Sequence, residues 1–344
     1  MNSKKVFITI GIAFSVFLMT LPLVSYRFLK TAVEIEAFNH LVTVRELLKY
    51  QIEGYFQDRF GDVDVLAGNP VTGQGFSRLS KAFSDAGLNG PQYTKITALY
   101  QPLMEHYITD YGYVNIYFVD RGGDVIFSAI REEFAGTNLL TGRFKQFSIG
   151  QVFARGLDGV AFEDYTWHEE IQEFTSYFAA PVYDGQMLLG VLVIEIPFSH
   201  LDAVMTKRAG MGETGEMYLV GDDGYMRSNS RFVKEPTILQ KAVDTEATRD
   251  ALNGIVGVNT IKDYRGITVL SAYTALNLKF VNWALLVEID EKEALAAINT
   301  VERRVKILGA LIACITFLYI YLVNRRKNQQ ILSESLEKNP ESDS

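Results

Sequence analysis

Cysteine is nearly absent from this chain of 344 residues, with Cys314 the only one. No internal disulfide can form, and cysteine nucleophiles and cysteine-based zinc sites are excluded from the rest of the chain. Histidine is scarce as well: His40, His106, His168 and His200 stand apart, with no pair at metal-ligand spacing. His168 lies among Glu163, Asp164, Glu169, Glu170 and Glu173, and reads as part of a solvated acidic loop rather than a cation site. A basic balance is also missing. The net charge is −8 and the pI about 5.2, which argues against a nucleic-acid partner.

The short motifs that carry a chemical mechanism are missing too: no Walker loop, no HExxH, no GxSxG nucleophile elbow. A glycine phrase, Gly210-Met211-Gly212-Glu213-Thr214-Gly215, comes before a predicted strand rather than after one. It cannot present a helix N-terminus to a pyrophosphate. Asp222-Asp223-Gly224 lacks the alternating oxygen ligands and closing Glu of a calcium loop, and reads as a hairpin turn. These absences point away from an enzyme, and from any metal or cofactor.

What the chain does have is two long apolar runs near its ends. Val6 to Val24 and Ile307 to Val323 carry no charge. A helix needs about 17 to 25 apolar residues to cross a bilayer, so both qualify as spans. Val24-Ser25-Tyr26 offers no small-x-small cleavage pattern, which favours an anchor over a removed signal peptide. Lys4 and Lys5 before the first span, and Arg325, Arg326 and Lys327 after the second, place both termini in the cytoplasm. Arg27, Lys30, Arg303, Arg304 and Lys306 on the inner flanks weigh the other way. The whole chain is 48% apolar with 22 Phe and 18 Tyr, ample for a packed core, and the region between the spans is long enough for two modules.

Ile35, Phe38, Leu41, Leu48, Ile52, Tyr55 and Phe56 recur at helical steps and predict one long helix to residue 66, ending at Gly68-Asn69-Pro70. Leu41, Leu48 and Tyr55 are seven apart; they pack either on their own domain or on a second copy, through residues 30–60. Residues 71–92 read as a loop with a short helix, and Ile96 to Ile108 as a helix. Tyr117 to Ser128 then reads strand, glycine turn, strand, and Tyr218 to Ser228 repeats it, with Tyr117, Val119 and Gly123 matching Tyr218, Val220 and Gly224. Ala179 and Glu195 likewise match Ala272 and Glu288 at one offset, and each Glu-Ile precedes a helical run, Ser199 to Arg208 in the first case. This is a weak internal duplication of an α+β unit with an antiparallel sheet.

The string Gly210 to Gly221, followed by Asp223-Gly224 and Met226-Arg227-Ser228, resembles the start of the second module in double Cache sensors. Trp283 to Asp290 with Glu293-Ala294 resembles that family's exit toward the membrane. The resemblance covers about residues 30–300. It implies an α+β fold of two PAS-like (Cache) modules with antiparallel sheets on a long N-terminal helix, flanked by two transmembrane helices. The implied organisation is a cytoplasmic N-terminus (1–5), first span (6–25), long helix (26–66), membrane-distal module (67–205), membrane-proximal module (206–290), exit helix (291–306), second span (307–323) and short cytoplasmic tail (324–344). The resemblance places the chain in a bacterial inner membrane with its main domain periplasmic or extracellular. In the family the second span leads into an output domain. Here only Asn324 to Ser344 follow, which reads either as a stand-alone sensor acting through a separate signalling protein, the favoured expectation, or as a truncated receptor.

The expected function is therefore non-catalytic: binding of a small molecule in the distal module, in signal transduction or chemotaxis. The alternative is an interaction scaffold docking an envelope protein without a metabolite. The candidate ligand residues are Tyr117, Tyr165, Trp167, Tyr177, Asp184 and Glu195, an aromatic and polar set with a carboxylate suited to an ammonium. The resemblance implies an amine grip near Glu195, helped by Tyr117. The family's Arg-x-Trp-Tyr element, which holds a ligand carboxylate, is replaced by Arg143-Phe144-Lys145-Gln146-Phe147. An amine or amino acid is the expected ligand class, without that carboxylate-binding element.

Overall fold

The computed structural model describes residues 3–130, 134–169, 172–206 and 210–337. Glu170, Arg208 and the tail from residue 338, which the sequence reading touched, lie outside them. The chain divides into two compact units, Met1–His40 with Asp290–Ser344, and Leu41–Ile289.

In the first unit, the N-terminal part of α1 (Ser3–Gly68) and α8 (Ala296–Glu337) are both long and apolar enough to cross a membrane. Their apolar windows bury none of their surface inside the protein. Leu21, Leu23, Ile315, Phe317 and Leu318 are among the exposed residues. The Thr316 hydroxyl donates to Ser15 Oγ at 2.9 Å, tying the two apolar helices together. Pro22 lies inside α1 without ending it. A single proline can be carried in a membrane helix because neighbouring groups satisfy the freed carbonyl.

The second unit begins on α1. Leu41, Leu48, Ile52, Phe56 and Val63 are buried, so the seven-residue stripe packs largely on its own domain. Leu47 and Tyr50 face outward instead. After Gly68, the side chain of Asn69 accepts from the Val71 N–H at 2.9 Å and Pro70 takes the first helical turn. Most of residues 71–92, read from sequence as a loop with a short helix, is helical, as α2 (Pro70–Ala86). Its glycines are packing positions rather than breaks: a Cβ at Gly75 would meet the Tyr100 ring at 2.8 Å. Helix α3 (Pro91–Tyr111) follows and stops at Gly112, whose φ of 70° is left-handed.

The first antiparallel sheet contains β1 (Asn115–Asp120), β2 (Val125–Ser128), β3 (Ala161–His168), β4 (Glu173–Asp184) and β5 (Met187–Pro197), in the order β2-β1-β5-β4-β3. Strand alternation divides its side chains between two faces. Phe118, Phe162 and Phe178 face the long helices, with Phe76 stacked on Phe118 and Phe56 edge-on to Phe162. Tyr117, Val119, Tyr177, Ala179, Val191 and Val193 face the other way, onto α4 (Ser148–Gly156) and the loop residues Phe134, Leu139 and Phe144. Full burial of each such apolar side chain contributes about 1.5–3 kcal/mol.

Helix α5 (Ser199–Met205) leads to the second sheet: β6 (Glu216–Gly221), β7 (Gly257–Lys262), β8 (Thr268–Ala275) and β9 (Trp283–Asp290), in the order β6-β9-β8-β7, with α6 (Glu246–Leu252) packed on it. The short α7 (Glu291–Ala294) then precedes α8.

The duplication is visible atom for atom at the turns. Gly123 and Gly224 both take a left-handed φ, 88° and 78°. Their N–H groups close the turns onto Asp120 and Gly221. Asn115 opposes Glu195 across β1 and β5, just as Glu216 opposes Glu288 across β6 and β9. One expected strand is lost. The segment after Gly224 makes only isolated bridges, Val220 to Met226 and Tyr225 to Ala242. The Ser228 hydroxyl takes the Leu219 N–H, and Met226 N–H goes to Lys241, so side-chain and loop partners replace a regular ladder.

Candidate ligand site in the first module

Glu195 is fully buried on β5. The Tyr117 hydroxyl donates to its Oε2 at 2.8 Å, and the Tyr177 hydroxyl to Oε1 at 3.3 Å. The register explains the meeting: Tyr177 is directly opposite Glu195 on β4, and Tyr117 is on the same face of β1. Burial, and after it the charge of Glu195, pushes the Tyr117 hydroxyl well above the usual tyrosine range, so it remains a donor.

His168, at the end of β3, is buried rather than solvated, and its Nε2 lies 3.7 Å from Glu195 Oε1. Phe134 stands edge-on to His168, to Tyr117 and to Phe144. Thr175 lies two residues before Tyr177 on β4, hence on the same face, and is fully buried. Its hydroxyl has no hydrogen-bond partner among the described residues. Unsatisfied buried hydroxyls are uncommon and call for an explanation.

The structure therefore brings together Tyr117, Tyr177 and Glu195 of the sequence-predicted set. It sends the others elsewhere. Tyr165 turns to the opposite face, where it stacks on Trp283 at 5.9 Å and meets Phe198 edge-on. Trp167 is 44% exposed, with its indole N–H on Glu169. Asp184 is exposed in the turn between β4 and β5, beside a surface groove that includes Arg78 and Tyr183. For Tyr165 and Trp167 the cause is an irregularity in β3 between Glu163 and Thr166 that breaks the alternation.

His168 and Thr175 escaped the sequence reading. Thr175 was legible in principle, at two residues from Tyr177. His168 was hidden by its acidic neighbours. The segment in place of the family's carboxylate-holding element forms a short 3-10 turn, Arg143–Gln146. It buries Phe144 and leaves Arg143 and Lys145 exposed, with the Arg143 guanidinium over the Phe144 ring at 4.3 Å. It thus supplies an aromatic wall and no cation to the site.

The second module repeats the tyrosine–carboxylate pair. Tyr218 donates to Glu288 at 3.0 Å and Ser271 donates to it at 2.8 Å. Here every partner is internal. Glu216 is held by Ser230, Tyr264 and the Arg231 N–H, and Asp263 by Arg265. Burial, reinforced by Asp263 and Glu216, raises the Glu288 carboxyl to about 7 despite its two hydrogen bonds. The pair itself is thus part of the duplicated architecture. The buried His168 and the unpartnered Thr175 hydroxyl distinguish the first module.

Two PAS-like modules carried on a long helix, one of them with a buried polar and aromatic cluster, define a sensory-domain architecture. The chain belongs to the Cache domain family: the dCache_1 family model matches residues 25–298. The family is one of sensory ligand-binding domains.

Solved structures resemble it over most of its length. The ligand-binding domain of the amino-acid chemoreceptor PctC of Pseudomonas aeruginosa PAO1, in complex with GABA, is 16% identical, with a TM-score of 0.51, covering 74% of this chain and 100% of that one. The sensory domain of the Campylobacter jejuni chemoreceptor Tlp3 is 14% identical at a TM-score of 0.54, covering 78% and 99%. The PctB domain of Pseudomonas aeruginosa PAO1, in complex with L-Arg, is 13% identical at 0.52, covering 80% and 99%. At these identities the likeness is one of fold. No curated protein sequence matches the chain.

Proposed function

We infer that this chain is a membrane-anchored, non-enzymatic sensor. Its membrane-distal module, assigned to residues 67–205, binds a small amine-bearing molecule, and it signals through a partner protein. Glu195 carries this assignment. It is a buried carboxylate ringed by hydroxyls and an imidazole, and the neighbouring Arg143 to Phe147 segment brings no cation to balance it. A ligand ammonium beside Glu195 makes a charge-assisted bond worth about 1.5–3 kcal/mol. The exposure of Arg143 and Lys145 in that segment favours an amine without a carboxylate over a zwitterionic amino acid. Binding shifts the protein only so far as the ligand prefers one arrangement of the modules over another.

The test is calorimetric titration of the full chain in detergent micelles with n-butylamine and with GABA, which differ by a carboxylate. Wild type is expected to prefer n-butylamine, and Glu195→Gln to lose about tenfold or more in affinity for it. Preference for GABA, or indifference to Glu195→Gln, contradicts the amine assignment.

The proposed topology puts both termini in the cytoplasm, on the strength of Lys4, Lys5 and Arg325 to Lys327. Reporter fusions after Lys327 are expected to behave as cytoplasmic and those at Asn253 as exported. An exported reporter after Lys327 contradicts the hairpin.

A further inference from the structure

We propose that the groove between α1 and α3 is a second small-molecule site, one that takes a monocarboxylate with an apolar or aromatic body. The groove has a volume of about 560 Å³ and runs between residues 57–66 of α1 and the end of α3, with Tyr113 beyond it. Sites that hold small ligands span about 300–1,000 Å³. No residue lining this groove belongs to the Glu195 cluster, so the proposal is independent of the amine reading.

Arg59 carries the proposal. Its side chain lines the groove and is only 15% exposed. Asp62 lies three residues on, on the same side of the helix, and Arg59 Nη2 meets its Oδ2 at 2.8 Å. The guanidinium is held between two ring faces, 5.5 Å from the centre of Tyr55 and 5.8 Å from that of Tyr113. Its Nε is buried with no hydrogen-bond partner, an uncommon state that calls for an explanation. A guanidinium offers five N–H donors in a planar fork that matches a carboxylate. One contact with Asp62 leaves most of that fork unused. The same Oδ2 of Asp62 also accepts the Tyr113 hydroxyl at 3.0 Å. Burial, and after it the charge of Asp62, pushes that hydroxyl above the usual tyrosine range, so it remains a donor. Asp62 and the two rings thus fix the guanidinium in place without saturating it.

The rest of the groove sets the body of the ligand. Tyr113 stacks on Tyr111 at 5.5 Å, and Tyr111 on Tyr107 at 6.1 Å, so the aromatic surface continues outward from Arg59. Tyr111 is exposed, and Leu66 and Val65 add apolar area beside it. These walls reward a ring or an apolar chain over a bare inorganic anion. Asp58 and Asp62 line the same groove and oppose a second negative charge on the ligand. Gly61 keeps the groove open: a Cβ there would meet nothing within 4 Å.

The experiment titrates the full chain in detergent micelles with benzoate, benzamide and inorganic phosphate by calorimetry. Benzamide keeps the ring and removes the charge; phosphate keeps the charge and removes the ring. Wild type is expected to prefer benzoate over each by about tenfold or more. Arg59→Gln is expected to bring the ratio of benzoate to benzamide near one, and Arg59→Lys, which keeps the charge without the fork, to retain part of it. Gly61→Leu places a side chain in the open groove and is the better helix former. It is expected to weaken benzoate about tenfold or more without lowering the melting temperature, and it decides the matter if Arg59→Gln fails to fold. No binding of benzoate to wild type, equal binding of benzamide, or benzoate binding unchanged in Gly61→Leu overturns the site. Phosphate bound as tightly as benzoate overturns the monocarboxylate class.

Discussion

Glu288→Gln is expected to stabilise the protein at pH 8 and to leave it nearly unchanged at pH 4.5. Glu288 lies fully inside the second sheet, and burial first, then Asp263 and Glu216, lifts its carboxyl from 4.5 to about 7. The folded state therefore holds a proton that the unfolded chain releases between these values. Where the native state binds more protons, stability falls as pH rises. The favourable contribution is fully present below about pH 4.5 and is lost as pH climbs through about 7. The difference, about 2.5 pH units at 1.36 kcal/mol each, comes to about 3 kcal/mol. Glutamine keeps one acceptor oxygen and puts a donor in place of the other, as the protonated carboxyl does, without carrying a charge. Urea unfolding of both forms at pH 4.5 and 8 measures this directly, through the change with pH in the gap between them. A gap that is the same at both values places the ionised carboxylate in a solvated setting and contradicts the burial argument.

The cross-strand register gives that prediction its particular basis. Glu216 and Glu288 face each other directly, both buried, where the first module pairs Asn115 with Glu195. Like charges at directly opposed strand positions are destabilising. In the first module Asn115 spends its amide on Ser128 and its carbonyl on the Ile116 and Ile130 N–H groups. One residue type thus separates a module whose buried glutamate faces an amide across the strands from one with an opposed carboxylate pair.

Much of this was legible in the sequence, for a physical reason in each case. Tyr117 with Tyr218 and Gly123 with Gly224 gave the duplication away because a two-residue alternation and a left-handed turn each constrain residue type. Glu195 was legible because a carboxylate between Ile194 and Ile196 has to be explained by a partner. Tyr165 and Trp167 lie away from Glu195 because the irregularity between Glu163 and Thr166 reverses which residues of β3 share its face, and nothing local in the sequence marks it; Asp184 lies at the far end of β4. Helix α2 was under-read because glycine is normally a helix breaker. Here Gly75 is required by the ring of Tyr100, a contact made across the fold. Long-range register and cross-element packing were the parts that a one-dimensional pattern could not carry.

Arg227→Met is expected to be the most damaging of the single substitutions considered, at about 3–5 kcal/mol. Arg227 is only 4% exposed, and it joins the two modules. Its Nε donates to Asp164 on β3 at 2.9 Å, while its two terminal nitrogens grip Asp223 at 2.9 Å each. Asp164 also accepts from the Trp283 indole at 3.2 Å, and Tyr165 stacks on the same indole. The break in β3 that turns Tyr165 away from the ligand site is thus what builds the junction between modules. Burial raises the Asp164 carboxyl even with Arg227 beside it, so removal of the guanidinium strands a costly charge. Asp164→Leu combined with Arg227→Met is expected to recover most of the loss, because a buried pair exchanged for apolar groups is close to neutral. Gly221→Ala should reproduce much of the damage by another route, since a Cβ there would meet the guanidinium at 2.5 Å. Thermal and urea unfolding of the three variants checks the set. An additive double mutant, with no recovery, contradicts the claim that the stranded carboxylate is the source of the cost. β3 carries Asp164 at its break and His168 at its end, so on the proposed function a ligand at Glu195 is expected to act on the junction as well. Occupancy of the proposed site is then expected to change the stability lost in Arg227→Met, which the same unfolding measurement with and without n-butylamine reads.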